Sequence, residues 1–279
     1  MKTINCKGKI IDFEQCKVMG ILNLTPDSFY DGSKEHNNIA PMLQKVSDML
    51  TEGADFIDIG GYSSRPGARY VSEEEELNRV LPILKEILIS FPNTLISVDT
   101  FRSKVAEQTL EMGAALINDI SAGSLDERMS DVVCDFRVPY IAMHMQGTPN
   151  TMQRNPIYED VNKDLIYYFS ALRHKLFSKG LDDLIIDPGF GFGKSLEHNY
   201  EILSNLGLYQ SLDLPVLAGV SRKSMLYKPL NISPNEALVA TSAAHMIALE
   251  GGANILRVHD VQAAKQCCQV FNLSKSASA

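Results

Sequence analysis

Eight times along the 279-residue chain a short apolar run gives way to a longer amphipathic stretch, and few folds accept that rhythm. The runs lie at 18–22, 56–59, 95–98, 116–117, 139–143, 184–186, 216–218 and 255–258. They are continuous rather than alternating, which suits strands covered on both faces of a parallel sheet. Helical patterns fill the gaps, at 39–52, 72–90, 102–112, 126–136, 160–179, 195–209, 234–250 and 261–271. Ser72 stands as an N-cap before Glu73, Glu74 and Glu75, and Gly113 and Gly180 sit where helices end. No Pro/Gly/Ser-rich linker and no sequence repeat interrupts the series. The expected fold class is α/β: a (β/α)8 TIM barrel forming a single domain over residues 1–279. Residues 1–16 form a short N-terminal extension and 274–279 a frayed tail. A doubly wound open sheet is the alternative, but one rhythm over eight units favours closure.

Polar residues fall where the strands end. The first strand runs into Asn23, and the second into Gly60-Gly61-Tyr62-Ser63-Ser64-Arg65. Asp99 follows the third, Asn118 and Asp119 the fourth, and His144 the fifth. Asp187 follows the sixth, Ser221-Arg222-Lys223 the seventh, and Arg257 and His259 mark the eighth. One such residue is explained by capping. Eight of eight point to the carboxyl-end rim where barrel enzymes build their pockets.

The net charge of −8 excludes a basic nucleic-acid footprint, so an anionic ligand must be met by local cations. The five cysteines are scattered and lack metal-site spacing, and no run of about 18 apolar residues occurs. The expectation is a cytoplasmic protein with reduced thiols and small-molecule partners, without nucleic acid or membrane.

Three local patterns carry chemistry. Gly60-Gly61 followed by Ser63, Ser64 and Arg65 combines close backbone approach with anion donors. Closure would bring Arg257 and His259 beside that loop, and three cations at one point suit a phosphate or diphosphate. Asp99, Asn118 and Asp187 form a second cluster, fit for the amino and ring N–H groups of a pterin or purine, unless they cap helices or pair with Arg222 or Lys223. Asp187-Pro188-Gly189-Phe190-Gly191-Phe192-Gly193-Lys194 lacks both the Walker and the dinucleotide pattern. It is expected to be a flexible loop with flat apolar surfaces, a wall for an aromatic ring. His144 is expected to be structural, and Met143 to pack against a flat ring. The first loop, from Asn23 through Thr25-Pro26-Asp27-Ser28-Phe29 to Gly32, is either a surface loop or a lid.

Taken together, Asn-x-Thr-Pro-Asp-Ser-Phe, Ser-Arg-Pro-Gly, Asp-Pro-Gly-Phe-Gly-Phe-Gly-Lys and Ser-Arg-Lys-Ser resemble the dihydropteroate synthases, in that family's order and over nearly the whole chain. The resemblance implies a pterin-binding barrel, usually a homodimer. It joins 6-hydroxymethyl-7,8-dihydropterin diphosphate to 4-aminobenzoate and releases diphosphate. Carried over, Asn23 would help hold Mg²⁺. Ser64, Arg65, Arg257 and His259 would bind the diphosphate. Asp99, Asn118, Asp187 and Lys223 would read the pterin edge, with Met143 near the ring. Phe29, Pro66, Phe192, Lys223 and Ser224 would frame the aminobenzoate, its carboxylate near Ser224 and the following helix. Asp187, Lys223, Arg257 and His259 would be catalytic, in an SN1-like substitution. Tyr62 and Tyr30 depart from the family's usual residues. A methyltetrahydrofolate-dependent methyltransferase and a non-catalytic pterin-binding paralogue are the competing readings. Neither explains the presence of Asn23, Arg65 and Lys223 together.

Overall fold

The computed structural model describes residues 2–24, 39–63, 68–148, 152 and 156–277. Two short strands, β1 (Thr3–Cys6) and β2 (Lys9–Asp12), precede eight parallel ones. The eight are β3 (Lys17–Asn23), β4 (Phe56–Gly60), β5 (Leu95–Asp99), β6 (Leu116–Asp119), β7 (Tyr140–Met143), β8 (Leu184–Asp187), β9 (Leu217–Ala218) and β10 (Ile255–Val258). They pair in the order β8-β7-β6-β5-β4-β3-β10-β9. A parallel bridge between Ile186 and Val216 brings the two ends together, so the sheet curls into a nearly closed barrel. Around it lie α1 (Ala40–Thr51), α2 (Glu73–Ser90), α3 (Ser103–Met112), α4 (Met129–Phe136), α5 (Val161–Ser178), α6 (Leu196–Ser204), α7 (Ser224–Tyr227), α8 (Leu238–Glu250) and α9 (Val261–Ser276).

The helix signals act as expected. The Ser72 hydroxyl accepts from the Glu75 amide at 3.1 Å, and Gly113 and Gly180 take the left-handed backbone. Four details differ from expectation. The 195–209 pattern is split after Ser204, where Asn205 starts a 3-10 turn over Leu206–Leu212. The 234–250 pattern opens on another 3-10 turn, Pro234–Glu236. The one-turn α7 is an unexpected extra element. Helix α9 runs through Ser276, into the stretch expected to fray from 274, and buries one face through Val261, Ala264, Cys267 and Cys268.

Strand side chains alternate between two cores. Val18, Leu22, Ile57, Ile59, Ile96, Val98, Ile117, Ile186 and Leu256 point outward and pack under the helices. Met19, Phe56, Leu116, Ile141, Ile185, Leu217 and Ile255 point inward and fill the lower barrel. The N-terminal extension is a hairpin that plugs this end: Ile4, Cys6, Ile11 and Phe13 join the inner cluster. Lys7 donates to the Gly113 carbonyl at 2.9 Å, and Lys2 to that of Leu214 at 2.7 Å. With its lower half packed and plugged, the barrel opens its polar layer toward the carboxyl end.

Candidate active site

Inward residues further along most of the strands form that polar layer. Asp58 and Ser97 are register partners on β4 and β5, followed by Asp99, Asn118, Met143, Asp187 and Arg257. Asp58 is fully buried, and Asn118 and Asp187 are nearly so. One cation holds the layer together. Arg257 Nε donates to Asp58 Oδ2 at 2.6 Å, and its Nη2 to Asp99 Oδ2 at 2.7 Å. Asn118 Nδ2 donates to the same Asp58 oxygen at 3.2 Å. Arg257 therefore lies against the acidic cluster, not only at the anion end of the rim. Burial would lower its pKa, but Asp58 and Asp99 hold it above the usual value. Burial pushes the Asp99 carboxyl up despite Arg257, with Asp58 adding repulsion.

Asp58 is a residue that strand-end reasoning misses. It sits inside an apolar run, and only its two-residue phase relation to Gly60 and the other strand ends betrays it. Asp119, next to Asn118, faces the other way. It accepts from Ser121, Gly123 and the Tyr140 hydroxyl, the last at 2.6 Å, and so organises its own loop.

Across the pocket, Lys223 Nζ donates to the Phe190 carbonyl and stands 4.8 Å from the centre of the Phe192 ring. Burial lowers its pKa to about 8, opposed by Asp187. The same burial raises Asp187, opposed by Lys223, while the Gly189 amide donates to Asp187 Oδ1 at 2.7 Å. Arg222 turns outward and grips Asp260 with both Nε and Nη2, at 2.8 and 2.6 Å, so it is no partner of the acidic cluster. His259 Nδ1 lies 3.1 Å from Ser221 Oγ, which also accepts the His259 amide, fixing that ring above β10. Ser224 opens α7, which is a single turn, so the side chains of Lys223 and Ser224 rather than a helix field would meet a carboxylate there.

The loop from Asp187 to Lys194 is held, not flexible. A Cβ on Gly189 would overlap the His144 carbonyl oxygen, and one on Gly193 would lie 2.7 Å from that of Gln146. Both glycines, and Gly191 between them, have positive φ. Phe190 faces the core and is fully buried, whereas Phe192 is the ring left at the pocket. His144 is structural as expected, packed edge-on against Tyr168, with burial pushing its pKa down to about 3.

At the second loop, Gly61 packs where a Cβ would meet Val80 and Glu76 on α2, so this glycine serves helix packing. Tyr62 meets Phe101 edge-on at 5.1 Å, and the Arg102 guanidinium lies over its ring at 5.4 Å. Arg102 is itself buried against Glu76. Tyr62 thus has an aromatic and cationic seat of its own. Asn23 ends β3 beside Gly60. Phe29, Tyr30, Ser64, Arg65 and Pro66 lie outside the described residues.

The strands that carry this acidic floor, its arginine and the facing lysine fall within residues 19–259, which match the family model of the pterin-binding enzymes. The chain is 41% identical to the dihydropteroate synthase of Escherichia coli (strain K12) over 97% of its length and 96% of that protein's. It is 42% identical to that of Haemophilus influenzae, over 97% and 98%.

This chain belongs to the dihydropteroate synthases.

Solved dihydropteroate synthases agree in shape. One from Yersinia pestis, in complex with a sulfonamide drug, superposes with a TM-score of 0.90 at 40% identity, covering 99% of this chain and 100% of that one. One from Xanthomonas albilineans with 4-aminobenzoic acid does so at 0.90 and 37%, covering 98% of each. The family expectation drawn from the motifs is met along the whole barrel.

Proposed function

We propose that the chain joins 6-hydroxymethyl-7,8-dihydropterin diphosphate to 4-aminobenzoate, giving 7,8-dihydropteroate and diphosphate. The observation that carries this reading is the polar layer of buried Asp58, Asn118 and Asp187 and half-buried Asp99, bridged by Arg257. A flat heterocycle rich in N–H donors is the ligand such acceptors suit. Asp99, Asn118 and Asp187 would take the pterin edge together with Lys223, above Met143. Arg257 and His259 would face the diphosphate, joined by Ser64 and Arg65. Phe192, Lys223 and Ser224, with Phe29 and Pro66, would frame the aminobenzoate.

The layout favours a dissociative substitution. No described side chain is placed as a nucleophile, whereas a buried carboxylate, Asp187, can face a cationic ring and Arg257 a departing anion. The exocyclic C–O bond breaks with its electron pair leaving on diphosphate. The aminobenzoate nitrogen then forms the new C–N bond and loses a proton to solvent.

Mg²⁺ fits this site through Asn23. A single neutral amide oxygen at the rim suits a cation whose other ligands are substrate oxygens and water. When bound, the ion would neutralise charge on the diphosphate.

A series of ring-substituted aminobenzoates tests both levels. Product by mass spectrometry, requiring both substrates, is expected, with a chemical step nearly independent of amine basicity. No product overturns the reaction; a steep basicity dependence overturns the dissociative step.

We further propose a homodimer through α8 and α9. Helix α8 is largely apolar although it lies in the outer layer, and it leaves Val239 and Ile247 exposed while its neighbour α9 leaves Val270 and Leu273 exposed. Light scattering should give twice the 30.9 kDa chain mass, falling to one chain in Val239→Glu. A monomeric wild type contradicts the proposal.

A further inference from the structure

Lys194 closes the glycine-phenylalanine loop, and the mechanism above does not use it. Its side chain is 3% exposed. The amine donates to the Phe192 carbonyl at 2.9 Å and to the His144 carbonyl at 3.2 Å, and lies 3.1 Å from His144 Nδ1. These are three acceptors for three donors, and none is a carboxylate. Burial lowers the lysine to about 7, Asp187 opposing. A buried amine is a costly way to fill space that a leucine or methionine would fill better. What it gains is a tie between two segments: the loop that presents the Phe192 ring, and the end of β7 at His144. The surrounding contacts serve the same tie. Gly189 and Gly193 pass against the carbonyls of His144 and Gln146, and the Tyr158 hydroxyl donates to the Gly193 carbonyl at 2.7 Å.

We propose that Lys194 is a positioning residue for the aromatic second substrate: it fixes the Phe192 backbone to the end of β7 and so sets the ring that walls the aminobenzoate site. This inference rests on the proposed reaction. It weighs on the second substrate more than on the first: Asp99, Asn118 and Arg257 hang on other strands, and Asp187, which opens the loop, is held by β8 and by the Gly189 amide at 2.7 Å rather than by Lys194.

The test compares Lys194→Met, His144→Leu and His144→Asn with wild type. Two quantities are read: KM for 4-aminobenzoate, and the Kd of pterin diphosphate by titration without the second substrate. Lys194→Met and His144→Leu should raise KM about tenfold or more, since bonds to a charged donor in a dry site are lost. The pterin Kd should stay within about threefold. His144→Asn keeps an acceptor near the Nδ1 position and should restore most of the wild-type KM. If Lys194→Met does not fold, the two His144 variants decide, and equal KM values for them overturn the proposal. So does an unchanged KM in a folded Lys194→Met, or a pterin Kd that weakens in step. A wild type that makes no dihydropteroate overturns the reaction and this inference together. An active wild type whose variants keep its KM overturns this inference alone.

Discussion

Replacing Arg257 with leucine is expected to lower kcat/KM by about 10³-fold or more and to destabilise the fold by about 3–5 kcal/mol. The two effects have separate causes. Asp58 is fully buried and takes its closest bond from Arg257 Nε, so losing the guanidinium leaves a carboxylate in the barrel with only Asn118. The activity loss follows from the proposed site, in which the same guanidinium would face both the pterin edge and the diphosphate. A double variant, Arg257→Leu with Asp58→Leu, separates the causes. It removes the orphaned charge and should recover most of the stability in urea unfolding, yet none of the activity. Recovery of both would make Arg257 a purely structural ion-pair partner. Full activity in the single variant would remove it from the site altogether.

Asp187→Asn should cost about 10²–10³-fold in kcat/KM while leaving stability equal or higher. Burial raises the Asp187 pKa above the ordinary carboxylate value of about 4, Lys223 opposing. A carboxyl raised in the fold favours folding in its protonated form, so its ionised state at neutral pH weakens the fold, and a neutral asparagine removes that cost. The proposed chemistry needs the anion. Wild-type kcat/KM should therefore fall on acidification through a midpoint above about pH 4, and the Asn variant should be low and flat across that range. An Asn variant that keeps the wild-type acid limb would assign the limb to another group. One that keeps the wild-type rate would remove the anion from the mechanism.

Much of the fold and of the site is legible in the sequence, and the exceptions have physical reasons. Eight uninterrupted apolar runs point to a parallel barrel because only burial on both faces tolerates them. The strand-end residues Asp99, Asn118, Asp187 and Arg257 could be picked out because the rim is where a packed barrel can afford polarity. Asp58 could not, since a lone acid within an apolar run betrays its direction only through its phase with neighbouring strands. The hairpin at the foot escaped because its two strands are short and its Lys7-Gly8 turn lacks the usual asparagine or aspartate. The glycine loop misled in the opposite sense. Glycine is as necessary for close approach as for mobility, and here Gly189 and Gly193 are pressed against neighbouring carbonyls. The partners of Arg257 are likewise set by geometry: the motif supplies the cation, but only the folded barrel shows that one buried and one half-buried carboxylate face it.

The most direct test is a crystal structure of the chain with the pterin diphosphate and 4-aminobenzoate. The expected result places the pterin edge within hydrogen-bond distance of Asp99, Asn118 and Asp187. The diphosphate should lie toward Arg257 and His259, and the aminobenzoate beside Phe192. A pterin bound elsewhere, with Arg257 still locked between Asp58 and Asp99 and no ligand above it, would contradict the account.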